Sequence, residues 1–323
     1  MKESVLSIKR LKKQMAAAIL SVCVAAVALS TSTYAWFISN KNVNGTTSSI
    51  SATADGVVLQ INAGDVADHD GDSATVAATK GHAITPASSE NMIDWYVPEN
   101  WTANLAKVGT YQKVTLEADK NGKKDGTYLL GGKSYYAYVL SEFTLFAVKN
   151  TGHADVYFDG AAANGAIEVT RSDAEGNVTD KVAASMRVGI VINDRTHGDQ
   201  LIAVFAPTEP TGAGNDVNYN GTDALTGWRV VSGTGAVSNT TKKAEYTHIS
   251  GTDDQKWTLR KENGTYAVPT ADQIKVASDV DWNGVIMKVY IWMEGTDSDC
   301  IASVVDGDEA EYDVTVHLVG LSS

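Results

Sequence analysis

The chain has 323 residues, 43% hydrophobic and 20% charged, with 28 Gly, 5 Pro and 2 Cys, which is enough apolar material for one large domain or two ordinary ones and excludes a disordered chain. Lys and Arg number 26 against 39 Asp and Glu, a net charge of −13, so general attraction to nucleic-acid phosphates or anionic lipid headgroups is disfavoured. No basic groove is legible along the sequence.

Positive charge is concentrated at the start, where Lys2, Lys9, Arg10, Lys12 and Lys13 precede an uncharged run over residues 14–40, richest in apolar residues between 15 and 29. This is the layout of a secretory signal peptide, and Thr33-Tyr34-Ala35 supplies the small-x-small pattern for cleavage near Ala35 or Trp36. Removing residues 1–35 leaves 21 basic against 38 acidic residues, a net −17. The alternative is a signal anchor, since the run is long enough to span a bilayer, but the polar Ser30-Thr31-Ser32-Thr33 favours cleavage. Lipoprotein processing at Cys23 needs a small residue before it, and Val22 stands there. With Cys23 gone, Cys300 is the sole thiol and no internal disulfide forms; it is read as a buried small hydrophobe, with an intermolecular bridge as the alternative.

Past residue 50 the hydrophobic period is two, beginning with a strand at 57–61. Asp65, Asp68, Asp70 and Asp72 crowd around Gly71, and Asp68, Asp70 and Asp72 are candidate calcium ligands. Their spacing fails the EF-hand pattern, with Gly at the fourth loop position and Thr79 where Glu belongs, so a solvated acidic loop is preferred, as it is for Asp306, Asp308, Glu309 and Glu311. Short helices are candidates at 101–107 and 271–278. Strands are predicted at 112–117, 135–148, 166–170, 186–192 and 201–205. Gly131-Gly132-Lys133-Ser134 resembles the end of a phosphate-binding loop, but Thr127 stands where that loop needs Gly and a strand follows, so it is read as a hairpin turn.

Residues 207–282 are rich in Gly, Thr, Asn and Asp and are read as an elaborated insertion with weak strands at 229–231, 245–249 and 266–268; an independent small domain is the alternative. Alternation is clearest near the end, where Met287, Val289, Ile291 and Met293 face one way and Lys288, Tyr290, Trp292 and Glu294 the other, and where Tyr312, Val314, Val316 and Leu318 repeat it. Asp-Gly and Asn-Gly pairs punctuate the chain, among them Asn44-Gly45, Asp125-Gly126, Asn263-Gly264 and Asn283-Gly284, and are read as tight turns. The predicted fold is all-β: two antiparallel sheets packed face to face, a sandwich of jelly-roll type.

Catalytic chemistry has no support. His69, His82, His153, His197, His248 and His317 are scattered, no His-Glu-x-x-His zinc pair or Gly-x-Ser-x-Gly elbow occurs, and no catalytic, cofactor or metal residue is assigned beyond the weak calcium candidates. Trp95, Trp101, Trp228, Trp257, Trp282 and Trp292 are expected to fill the core rather than form a sugar-stacking platform, with Trp292 the exception worth following.

The junction Tyr34-Ala35-Trp36-Phe37-Ile38-Ser39-Asn40-Lys41, a polar stretch after it and then a strand resemble exported bacterial proteins with a SipW-type signal peptide, the group containing biofilm-matrix fibre proteins of the TasA and camelysin kind. Ile84-Thr85-Pro86-Ala87-Ser88-Ser89, Arg187-Val188 and the run from Ile291-Trp292-Met293-Glu294-Gly295 to Cys300 resemble segments of clostridial members. The resemblance implies a secreted jelly-roll subunit, trimmed by a dedicated signal peptidase and polymerised by donor-strand exchange. Residues 36–50 would be the assembly segment, with Trp36, Phe37, Ile38 and Val43 as apolar residues stranded on a monomer and Gly45 to Ser49 as a flexible tether; 51–323 would be the β-sandwich body. The expected partners are other copies of the chain in a filament on the cell surface or in the extracellular matrix, with a possible accessory or anchoring subunit, no nucleic acid, and membrane contact only through the signal segment. The alternative is a monomeric adhesin or glycan-binding module using Trp228 and Trp257 of the insertion.

Overall fold

The computed structural model describes residues 43–55, 59–65, 75–76, 82–89, 91–98, 111–148, 152–162, 166–171, 185–206, 227–231, 246–248, 256–295 and 310–322, all within one unit, Asn42–Ser323. Every named element among them is a strand, as the two-residue period and the Gly-rich turns require.

One large sheet is mixed. It holds β1 (Val43–Asp55), β3 (Thr75–Val76), β4 (Ala83–Ile84), β11 (Ala154–Asp159), β12 (Ile167–Arg171), β17 (Thr258–Leu259), β20 (Ala277–Val280) and β22 (Ala310–Ser322). The second is antiparallel throughout, in the order β16 (Tyr246–His248), β15 (Gly227–Val231), β14 (Asp199–Ala206), β13 (Met186–Asn193), β21 (Val285–Met293), β10 (Val139–Ala147) and β2 (Leu59–Ala63). Three small antiparallel sheets complete the set: β5 (Trp95–Pro98) with β6 (Tyr111–Val114); β7 (Leu116–Ala118), β8 (Lys124–Leu130) and β9 (Lys133–Tyr136); and β18 (Lys261–Glu262) with β19 (Thr265–Tyr266).

Alternation builds the main core. Tyr312, Val314, Val316 and Leu318 of β22 and Val156 and Phe158 of β11 pack in one cluster with Phe143 and Leu145 of β10, Val188 and Ile190 of β13, and Met287, Val289 and Ile291 of β21. Both large sheets therefore share one apolar interior, which is how strands with a single greasy face satisfy it. The other face of the second sheet is covered as well. Leu140, Val191, Val204, Tyr290 and Trp292 pack with Trp95 and Val97 of β5, Leu116 of β7, Tyr128 of β8 and Met92 just ahead of β5.

Several expectations are corrected. Trp292 is no exception among the tryptophans: on the second face of β21 it is buried together with Tyr290 and Glu294, because a further layer closes over that face. The first sheet is not purely antiparallel, since β1 with β22 and β11 with β17 pair in parallel. No helix forms at 271–278: the Val276 amide donates to the Val156 carbonyl at 2.7 Å, and burial of Val276, Ala277 and Val280 draws the chain out into β20. Asn44-Gly45 lies inside β1 and Asp125-Gly126 inside β8, so neither pair is a hairpin turn. The insertion is woven into the body: β15 and β16 extend one large sheet, β17 and β20 the other, and Trp257 joins the main core.

Gly131-Gly132 is the hairpin turn read from the sequence, with φ of 60° and 79° between β8 and β9, and Asn263-Gly264 (52° and 86°) does the same between β18 and β19.

Candidate functional site

The C-terminal strand β22 is paired along its whole length. On one edge β12 meets residues Tyr312–Val316 and β11 meets Leu318–Ser322, both antiparallel. On the other edge β1 runs parallel over twelve registered positions, from Val43 opposite Ala310 to Asp55 opposite Leu321, with a register shift between Thr47 and Ser49. The far edge of β1 meets only two-residue neighbours: β4 at Val43 and Asn44, and β3 at Ile50 and Ser51. Its sequence, VNGTTSSISATAD, has few large apolar residues, so backbone pairing supplies much of what holds it.

This placement corrects one expectation directly. The segment read as a flexible tether, Gly45 to Ser49, is part of a strand of the chain's own sheet, and so is Val43. Serine and threonine tolerate a pleated, half-buried surface, and a parallel partner along the whole length offers backbone pairing that a tether would lack. Ala35, Trp36, Phe37 and Ile38 lie outside the described residues, as do Asp68, Asp70, Asp72, Trp101 and Cys300.

Beyond β4 the chain forms a strap that is tied down at each step. The Thr85 amide and hydroxyl both donate to the Tyr136 carbonyl, at 2.9 and 3.0 Å, and the same hydroxyl lies 2.8 Å from the Tyr128 hydroxyl. The Ala87 amide donates to the Met293 carbonyl at 3.0 Å, and Gly295 returns a bond to the Ala87 carbonyl at 2.8 Å. Ser88 and Tyr96 exchange backbone bonds at 2.8 and 2.9 Å. A side chain at Gly295 would come within 3.2 Å of the strap's backbone at Pro86 and Ala87, which explains a glycine there.

Beneath the strap sit charged groups that composition alone would put on the surface. Arg187 and Glu294 are both fully buried; Arg187 donates to the Met186 carbonyl at 2.8 Å, and the Trp292 indole N–H donates to the Glu294 carboxylate at 3.0 Å. The Glu294 amide donates to the Ser185 carbonyl at 2.8 Å, and Arg187 is registered with Trp292 across β13 and β21. The three segments picked out by resemblance, 84–89, 187–188 and 291–295, thus meet at one end of the second sheet, and they meet buried. Burial pushes the Tyr128 hydroxyl far up from its usual range, so it stays protonated and able to donate. A sealed polar cluster of this kind fixes one arrangement of the strap and offers no access to substrate.

The remaining candidates are distributed. Trp95, Trp257 and Trp292 are buried, so none of them offers a stacking face, and Trp282 is half-buried. Trp95 and Trp292 meet edge-on at 5.7 Å. His82 stacks on Tyr136 at 3.8 Å, His153 pairs with Asp279 at 2.9 Å and His197 with Asp194 at 2.6 Å, each in a separate place. Among the described residues no group of three or more His, Cys, Asp and Glu is arranged to hold a metal ion. A surface cleft of about 540 Å³ is lined by His82, Glu117, Asp119, Lys123, Lys124 and Asp125, charges of both signs. Sequence reasoning missed β1, β3, β4, β5, β8, β11, β17, β18 and β20; for β1 the available signal was only Val43 and Ile50, one on each side of Ser48. Comparison of the chain with known proteins returns no matching family model, no matching curated protein and no matching solved structure.

Proposed function

We propose that the chain is a secreted structural subunit of a bacterial surface or biofilm-matrix filament, a sandwich of jelly-roll type that assembles by exchanging its N-terminal strand between copies. The observation that carries this is the parallel seam of β1 on β22. A strand at one end of the chain, joined to the body only through residues 56–58 and paired with the strand at the other end, can be traded for the same strand of a neighbour with every pairing kept. Removing β1 without replacement uncovers the β22 edge over twelve positions, and unpaired backbone groups there favour capture of another strand. The signal-like leader, the acidic composition and the apolar Trp36-Phe37-Ile38 ahead of β1 support export followed by assembly. Burial of Trp257 removes one of the two tryptophans on which glycan recognition would rest.

The test uses the processed chain with Cys300→Ser, prepared as two single variants, Ser49→Cys and Thr315→Cys. These positions are partners across the seam. Neighbouring strands lie about 4.8 Å apart, within the reach of a disulfide. Neither variant can close that bond within one molecule, so a mixed dimer that joins Ser49→Cys to Thr315→Cys, above the symmetric dimers each variant gives when oxidised alone, reports strand exchange. The expected result is dimers appearing together with filaments seen by electron microscopy. Filaments without cross-links would sink strand exchange, and a chain that stays monomeric while binding glycans would favour an adhesin.

A further inference from the structure

We infer that Ser48 divides β1 into two docking units, so that the strand enters and leaves its groove in two steps. Resting on the exchange reading above, this deepens it by naming where the exchanged strand opens. Before Ser48, the positions Val43, Gly45 and Thr47 are registered with Ala310, Tyr312 and Val314; after it, Ile50, Ala52 and Ala54 are registered with Val316, Leu318 and Gly320. Tyr312, Val314, Val316 and Leu318 form the row of β22 that packs in the main core.

In a regular strand these two sets could not share a face. Alternation puts residues 43, 45, 47, 49, 51 and 53 on one side and 50, 52 and 54 on the other. The extra residue at the register shift restores the phase, and both sets stay in register with the same row of β22. With Ser48 present and no shift, only one half of β1 could keep its place on that row. Each half also has its own neighbour on the far edge, β4 for Val43 and Asn44 and β3 for Ile50 and Ser51. The half nearer residue 43 therefore releases while 49–55, next to the connection into the body, stays paired.

Deleting Ser48 makes the register continuous and keeps all twelve partners. Amide hydrogen exchange on the monomeric processed chain reads the effect. The unaltered chain is expected to exchange amides 43–47 about tenfold faster than those of 49–55, and deletion of Ser48 to abolish the difference and slow both sets. Ser48→Gly keeps the extra residue and leaves two rates. Uniform protection in the unaltered chain overturns the proposal, as does a deletion that lowers protection or prevents folding, or a Gly variant that behaves like the deletion. In filaments, the deletion is expected to slow elongation about tenfold, because the strand must then leave whole. If filaments formed by the mixed Ser49→Cys and Thr315→Cys variants, with Ser48 kept, lack the cross-link, strand exchange fails by itself, and the amide rates still decide whether β1 docks in two steps.

Discussion

The carboxylate of Asp194 holds the turn between β13 and β14: it accepts the His197 amide at 2.7 Å, the Thr196 amide at 2.9 Å and the His197 ring nitrogen at 2.6 Å. The bonds from His197, backbone first and then ring, hold its pKa down at about 2, below the ordinary 3.8. A pKa lowered by folding means that the ionised form belongs to the folded state, so the turn's contribution is complete above 3.8 and is lost as pH falls toward 2. Asp194→Asn is expected to lower the denaturant midpoint at pH 7, with the gap from the unaltered chain closing between pH 4 and pH 2. A gap that stays constant with pH would assign the effect to shape rather than charge. Turns of this kind are legible from sequence when a residue has a local geometric reason to be there. Gly284 is one: its φ is 72°, and a Cβ there would lie 2.5 Å from the Leu145 carbonyl oxygen. Asn44-Gly45 carries the same dipeptide without that demand, because β22 offers the backbone a ladder instead.

Elements were legible in proportion to how strictly they alternate. β22 shows its core row openly, since Asp313, Thr315 and His317 separate four apolar residues. β21 shows only half of its burial, because Tyr290 and Trp292 on its second face are covered by residues from a distant part of the chain, Met92, Trp95, Val97, Leu116 and Tyr128. β1 shows nearly nothing, since Val43 and Ile50 are its only large apolar residues and they stand out of phase for a regular period of two. The cover over β21 makes a quantitative claim. Trp95 is fully buried, 4.5 Å from the Tyr138 ring and 5.7 Å from that of Trp292, and joins the β5–β6 hairpin to the second sheet. Trp95→Ala is expected to destabilise the chain by about 3–5 kcal/mol, through lost apolar contact and the cavity left behind. Chemical unfolding measures this, and a loss below about 1 kcal/mol would mean that the hairpin is not anchored by this ring. A sequence scan could single out segments 84–89, 187–188 and 291–295 but not their meeting, which depends on β13 lying beside β21 and the strap crossing the end of both.

At the scale of the whole molecule, the proposed assembly would have to bring together copies of a chain that repel one another. The chain carries 26 basic against 39 acidic residues, and loss of residues 1–35 raises the imbalance to 21 against 38. The β1–β22 seam does not depend on this charge, because its pairing is made by backbone groups. In the proposed assembly charge would therefore govern the approach of two copies, and strand pairing what happens after contact. Repulsion between exposed charges reaches about 30 Å at 0.01 M salt and about 10 Å at 0.1 M. Filament elongation by the processed chain is accordingly expected to speed up several-fold across that range and then level off, while in the mixed Ser49→Cys and Thr315→Cys variants the yield of cross-links per filament length stays constant. Light scattering follows the rate, and non-reducing gels follow the cross-links. A rate that falls as salt is added would mean that complementary charges, not backbone edges, draw the subunits together, and the seam would lose its place as the contact that builds the filament.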